Sequence, residues 1–495
     1  MNNRGSITSN SPPAASIHIL DDDSLLNVFL LYRPDIFDDD DDDRVRVMGG
    51  KEWDREQWWY KLTHVCRRWR SLIFGSASYL ALCLVCTIGT PVADMLAHSP
   101  PLPIIIDYDG GDKGISTRDE EGITLALERR DRVRRIRLWM PGLRLEKLLM
   151  AIDGEYPILE YLIVGTPTDA AVLILPKTLQ APHIHHLTLF GFAFPIGLTT
   201  IVGLVRLCLY IQYPFTHFQP TVLLQWLSFT PLLETLAIGF SHPVPSPDVE
   251  RQLMHMPITT HVMLPNLRWF VFRGVSADLE ALVDRITAPS LEKLEIYFFE
   301  QQTFSVPCLL QFTNTTENLR FVDAKFQFSN DEVVVEVYPR EARSCVLSIN
   351  IFCWHLDWQV SSVAQLSDTL SGKFFTVEHL TLGHEIHSHS SEEHNEVDRS
   401  EWRRLLRPFR NVKTLRVDHG LVKDLSRSLR QDDGELPLEL LPELQELTFS
   451  GSGDVGGAFT SFIDARQNAG RPVTLARSPG RHRHRLLPLR RLLSL

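Results

Sequence analysis

Two stretches near the start of the chain carry apolar residues at helical spacing. Ile17 to Tyr32 places Leu25, Leu26, Val28, Phe29 and Leu30 after the polar run Asp21-Asp22-Asp23-Ser24, which predicts a helix with an acidic cap. Trp53 to Phe74 gathers Trp58, Leu62, Val65, Cys66, Trp69, Leu72 and Ile73 on or near one face, with basic residues on the other. Between them, residues 33–52 hold Pro34, six consecutive aspartates from Asp38 to Asp43, and Gly49-Gly50. Such a run repels itself and lacks a fixed ligand geometry, so a disordered loop is expected there, with calcium bound weakly at best.

From residue 133 onward one pattern recurs: apolar-x-x-apolar-x-apolar. Its copies start near Val133, Leu159, Ile184, Leu204, Leu233, Leu267, Leu291, Leu319, Ser344, Val377, Val412 and Leu444. Successive starts lie 20 to 35 residues apart, close to or somewhat above the ~20 to 29 of leucine-rich repeats. In six copies a proline stands two positions before the first apolar residue: Pro157, Pro182, Pro231, Pro265, Pro289 and Pro442. That placement predicts that proline fixes the start of each strand, where no ladder donor is needed.

Amphipathic stretches such as Leu145 to Ile152, Val222 to Phe229, Leu279 to Ile286, Leu421 to Leu429 and Phe459 to Arg466 lie between the copies and read as outer helices. Each strand–helix unit leaves an apolar face that only a neighbouring unit can cover, so residues 133–475 are expected to stack into a curved solenoid. The copy at Ser344 opens on a polar residue, and the wide spacings before 377, 412 and 444 imply surface insertions, among them His384 to Arg399. Residues 1–16 are expected to be disordered, 79–132 to connect or cap, and 476–495 to form a basic tail that the fold does not need.

Charge changes this picture in one respect. The 495 residues carry a net charge of −11, and residues 465–495 hold eight arginines and no acid, which leaves −19 on the remainder. An acidic body argues against nucleic-acid binding. Met1 to Ser16 lacks the apolar core of a secretory leader, and seven scattered cysteines read as the reduced thiols of an intracellular protein. Phe190 to Ile211 is 22 residues long with the single charge Arg206. Pro195, Gly191, Gly197 and Gly203 interrupt it, and its halves follow the repeat, so no membrane span is expected.

Candidate chemistry is sparse. Gly451-Ser452-Gly453-Asp454-Val455-Gly456 fits a dinucleotide fingerprint, but no acidic residue follows about 20 positions on to hold a ribose, and a flexible turn is the simpler reading. Cys83 and Cys86 have redox or zinc spacing within a strand-like run, where positions three apart point to opposite faces. His384, Glu385, His387, His389 and His394 lack the helical spacing of zinc hydrolases and read as a solvated loop; His183, His185 and His186 read as edge or surface residues. No metal or cofactor is expected, and no catalytic residue stands out.

Residues 17–78 resemble an F-box, the three-helix segment by which receptor subunits of SCF ubiquitin ligases dock on a Skp-type adaptor. The likeness lies in Ile19-Leu20 followed by Leu25-Leu26-Asn27-Val28-Phe29, and above all in Val65-Cys66-Arg67-Arg68-Trp69-Arg70-Ser71-Leu72. With the repeats, residues 17 to about 475 are similar to the expanded F-box and leucine-rich-repeat proteins of fungi. The resemblance implies an α/β repeat fold, with an N-terminal helical F-box-like module followed by a leucine-rich-repeat solenoid. It also implies a non-catalytic substrate receptor, cytoplasmic or nuclear, tied through the adaptor to a cullin scaffold. Adaptor contacts then fall on Ile19, Leu20, Leu25, Leu26, Phe29, Val65, Cys66, Trp69 and Leu72. A target protein falls on the concave strand face, at the fifth position of each repeat: Arg137, Thr188, Glu295, Asp323, Thr381, Arg416 and Thr448. The alternatives are a leucine-rich-repeat scaffold or sensor without a ligase connection, and a nucleotide-dependent enzyme built on Gly451 to Gly456.

Overall fold

The structure, a computed structural model, describes residues 19–33, 58–111, 114–167, 173–192, 202–212, 220–241, 261–299, 304–316, 318–319, 321–340, 344–385, 397–430, 439–450 and 456–478. The aspartate run, the turn at 451–455, His387, His389, His394 and the tail beyond Ser478 lie outside them.

Three short helices open the chain: α1 (Asp22–Tyr32), α2 (Trp58–Thr63) and α3 (Arg67–Gly75). Asp21 caps α1, its Oδ1 accepting from the Ser24 amide at 2.7 Å, and the Cys66 Sγ accepts from the Trp69 amide at the start of α3. Leu25 and Phe29 of α1, Trp58 and Trp59 of α2, and Trp69 and Ile73 of α3 are buried together. Phe29 meets Trp69 edge to face at 4.9 Å. Across the outside, Arg68 bonds the Asp22 carboxylate and the Leu20 carbonyl, each at 2.7 Å, which ties α3 to the start of α1.

Beyond this module the fold is mixed α/β. Sixteen strands form one sheet among the described residues. They are β1 (Leu84–Cys86), β2 (Ile104–Asp109), β3 (Val133–Trp139), β4 (Tyr161–Gly165), β5 (His186–Phe190), β6 (Arg206–Gln212), β7 (Thr235–Ser241), β9 (Trp269–Gly274), β11 (Lys293–Phe298), β12 (Asp323–Phe328), β13 (Glu332–Tyr338), β14 (Leu347–Phe352), β15 (His379–His384), β16 (Thr414–Asp418), β17 (Glu446–Ser450) and β18 (Thr474–Ser478). A separate pair, β8 (Val262–Met263) and β10 (Ile286–Thr287), runs beside them. Residues 79–132, expected to connect or cap, carry β1, β2 and two helices of the same sheet. At the other end β18 extends to Ser478, so Ala476, Arg477 and Ser478 belong to its edge strand and not to a separate tail.

Neighbouring strands follow chain order and pair in parallel, with one exception. The chain leaves β11, passes two places, forms β12, and returns through β13 and β14, so that β14 lies beside β11 and β12 beside β15. β13 is antiparallel to both its neighbours. Its sequence alternates Val333, Val335 and Val337, all buried, with Glu332, Val334, Glu336 and Tyr338 on the other face. That period of two is an antiparallel signature, which a search for the parallel repeat passes over.

The prolines act through a turn. In all six copies the first apolar amide bonds the carbonyl three residues back, as Leu159 does to Tyr156, Leu267 to Leu264 at 3.3 Å, and Leu444 to Leu441 at 3.0 Å. Proline is thus the second residue of a turn, where its fixed φ is preset, and the strand begins only after it. Crossover helices return the chain to the next strand. Their buried residues, Leu145, Leu224, Leu279, Leu309, Val363 and Leu405 among them, join the strand residues Leu138, Leu162, Leu236, Phe272 and Leu415 in one continuous apolar cluster that also takes in the helical module. On the opposite face, side chains of β3, β9, β12 and β16 stay half-buried in alternation. We refer to it as the open face.

Candidate functional surfaces

Strand register places the fifth-position residues in one row across the open face. Arg137, Thr188, Glu295, Thr381, Arg416 and Thr448 share it, connected pair by pair through the ladder. Asp323 does not: it pairs with His379 and Tyr338, one row away, and Lys325 holds the expected place beside Thr381 and Glu336. Two frames fit this copy, one from Leu319 and one from Phe321, and the pairing of Ala324 with Leu380 selects the second.

Sharing the row does not make each residue accessible. Thr188 and Glu295 are both 1% exposed, so a target cannot reach them as proposed from the sequence. Larger side chains on the flanking rows cover them. His186 reaches the Thr188 hydroxyl at 3.2 Å, while Glu295 is held by the Lys293 Nζ at 3.0 Å and the Tyr297 hydroxyl at 2.9 Å. Arg137 lies between Asp107 and Asp109, at 3.7 and 3.2 Å.

The flanking rows are the third and seventh positions of the repeat, and sequence reasoning passed over them. Their signal is the size and type of side chain: Trp139, Phe190, Tyr210, Arg273 and Tyr297 at the seventh, Arg135, Tyr161, His186, Trp269 and Lys293 at the third. Trp139 leans across Gly165 to meet Phe190 edge to face at 4.9 Å, and Phe190 stacks on Tyr210 at 4.2 Å. Gly239, which faces Tyr210 across the ladder, is needed there because any Cβ would sit 2.6 Å from the tyrosine ring. Arg135 lies over Tyr161 and Lys293 over Trp269, at 4.5 and 4.8 Å from the ring centres. Burial pushes the Tyr210 hydroxyl well above its ordinary pKa, with Cys208 adding to the shift, so that ring stays neutral.

Past the inversion the open face is polar. Asp323, Ala324, Lys325, Tyr338, His379 and Thr381 line a depression of about 300 Å³. The His379 Nδ1 meets the Thr414 hydroxyl at 2.6 Å, and Lys325 meets Glu336 at 3.1 Å. His379 Nε2 faces Asp323 at 3.9 Å, beyond hydrogen-bond length, so the Thr–His–Asp order is not the relay that fixes a catalytic imidazole.

Cys83 and Cys86 form no disulfide and sit in different apolar clusters, one on each face of the sheet, and burial pushes the Cys86 thiol up to about 12. Among the described residues no group of three His, Cys, Asp or Glu side chains is placed to hold a metal, and no helix is long and apolar enough to cross a membrane.

In the helical module the nominated adaptor residues divide. Leu25, Phe29 and Trp69 are buried inside, where they hold the helices together. Leu26, Cys66 and Leu72 are half-buried; Ile19 and Val65 are 81% and 59% exposed, and Leu20, next to Ile19 in the chain, is 37% exposed. The outer side of α1 adds Val28, Leu31 and Tyr32, with Leu31 88% exposed, residues that reading the motif alone did not single out. No protein-family model matches the chain, and a search of curated proteins finds no similar sequence.

Proposed function

We propose that this chain is the substrate-recognition subunit of an SCF-type ubiquitin ligase. The helical module docks on a Skp-type adaptor, and through it on a cullin scaffold, and the open face of the sheet holds the target protein. On this reading the parallel strand–helix units form a leucine-rich-repeat solenoid, and the chain contributes proximity and not catalysis. One observation carries it: the segment with the F-box-like motif folds into three small helices that leave Ile19, Leu20, Val28, Leu31, Tyr32 and Val65 exposed together with half-buried Leu26 and Leu72. Isolated exposed residues of this kind are ordinary, but this many on one small module marks an interaction surface. An intracellular setting, cytoplasmic or nuclear, follows from the ligase role.

The experiment is capture of a Skp-type adaptor by the full-length chain, compared with Leu31→Asp/Val65→Asp. Capture that the double variant loses, at an unchanged circular dichroism spectrum, supports the reading. Absence of capture by the wild-type chain overturns it. The burial of Leu25, Phe29 and Trp69 favours a second reading, in which the module only caps the sheet of an interaction scaffold or sensor; adaptor capture then fails while target binding on the open face persists.

A further inference from the structure

We infer that Arg273 is the anchor for a carboxylate of the bound protein, carried on an extended segment whose neighbouring side chains are aromatic or apolar. The inference deepens the reading of the open face as the target surface, and does not depend on the adaptor.

Arg273 sits in the seventh-position row, between Gly239 and Tyr297 in the ladder. Its Nε is buried without a hydrogen-bond partner, and among the described residues the guanidinium makes no hydrogen bond or ion pair. The Phe299 ring lies 5.5 Å from its Cζ. On the same face Arg137 is matched by Asp107 and Asp109, Lys293 by Glu295, and Lys325 by Glu336. Glu295, on the adjoining strand and one row over, is engaged by Lys293 and the Tyr297 hydroxyl and forms no ion pair with Arg273.

Arg273 is half-buried, and a guanidinium whose Nε is shut off from water without gaining an acid carries an uncompensated cost that an incoming carboxylate reduces. Burial also holds Arg273 below the usual arginine range, the direction that loss of water imposes on a cation. The planar fork of arginine suits a carboxylate, with bidentate contact where both its edges are reached.

The surroundings define the rest of the ligand. On one side Tyr210 stacks on Phe190, which meets Trp139; on the other lies Phe299. A segment crossing the strands here sets its acid on Arg273 and its apolar or aromatic neighbours on the ring edges left open, since Trp139, Phe190 and Phe299 are 9%, 8% and 8% exposed. In a chain whose first 464 residues carry a net −19, an unmatched arginine also gives an acidic partner a place to dock that the overall charge denies it elsewhere.

The test uses the full chain and fluorescent, C-terminally amidated hexapeptides that alternate phenylalanine with glutamate or with glutamine. The glutamate peptide is expected to bind, and to weaken about tenfold or more with either the glutamine peptide or Arg273→Leu. Arg118→Leu, exposed on the crossover helix Thr117–Leu127 and outside the open face, is expected to bind as the wild type does. Recovery of the glutamine peptide by a free C-terminal carboxylate supports the same chemistry from a chain terminus. Equal binding of the two amidated peptides, or binding of neither, overturns the proposal. So does a fall of several degrees in the melting temperature of unliganded Arg273→Leu, because a structural arginine loses stability on removal and an unmatched one does not. Loss of adaptor capture with peptide binding intact sinks the ligase reading alone.

Discussion

Arg466, fully buried in the helix Thr460–Asn468, donates from Nη1 to the carbonyl of Leu441 at 2.9 Å. Its Nη2 reaches the carbonyls of Pro442 and Leu444, both at 3.0 Å, so one guanidinium ties together the turn that begins β17. Leu441 has φ +50°, a region disfavoured for leucine, and the bond to its carbonyl helps to hold it there. Arg466→Leu removes three charge-assisted bonds; the Leu441 carbonyl keeps the Leu444 amide, while the Pro442 and Leu444 carbonyls lose this donor. The expected loss is about 3 kcal/mol, read from urea unfolding. A loss below about 1 kcal/mol would mean that the turn holds itself.

The six proline turns predict a smaller and repeatable effect. Pro265→Ala and Pro289→Ala keep the turn hydrogen bonds, from Leu267 to Leu264 and from Leu291 to Ala288, but free φ in the unfolded chain. Each is expected to cost about 0.4 to 1 kcal/mol through the unfolded state, with the urea m-value unchanged. A stabilised variant at either site would refute the assigned role of the proline.

Gly165 is required by an aromatic neighbour. A Cβ there would sit 2.2 Å from the Trp139 ring and 2.9 Å from the Phe190 Cβ. Gly165→Ala is therefore expected to displace Trp139, change the near-ultraviolet circular dichroism, and cost about 1 to 3 kcal/mol. An unchanged aromatic spectrum counts against the packing described for the open face.

Glu332 gives a pH test with a definite sign. Burial first, and the adjacent Asp331 second, raise its pKa above the ordinary carboxylate value. The folded chain therefore holds this proton more tightly than the unfolded one, so stability falls as the pH rises from the usual glutamate pKa of about 4.3 through the raised folded value. Glu332→Gln is expected to melt higher than the wild type at pH 7, with the gap closing below about pH 4. A gap of the same size at both pH values argues against titration as its source.

Much of the local structure is legible in the chain itself. Apolar spacing marks α1 and α3, Asp21 caps the first, and the recurring pattern locates β3 to β7 with the helices that follow several of them. The proline positions imply a repeated local device, because proline acts on its own φ and amide whatever lies around it. Other features were decided only by distant partners. Whether Leu319 or Phe321 opens its copy depends on which residue of β15 lies opposite, and the two-place detour through β12, β13 and β14 depends on which strand edge is free to accept an antiparallel partner. The fifth-position row was readable as a row. The contact of Trp139 with Phe190 and the surroundings of Arg273 were not, since each is set by side chains brought alongside from strands some 20 or more residues away in the chain; Thr188 and Glu295 are held by their own strand neighbours His186, Lys293 and Tyr297, but only the packed sheet shuts them from solvent. Periodicity determines which way a side chain points; only packing determines what stands next to it.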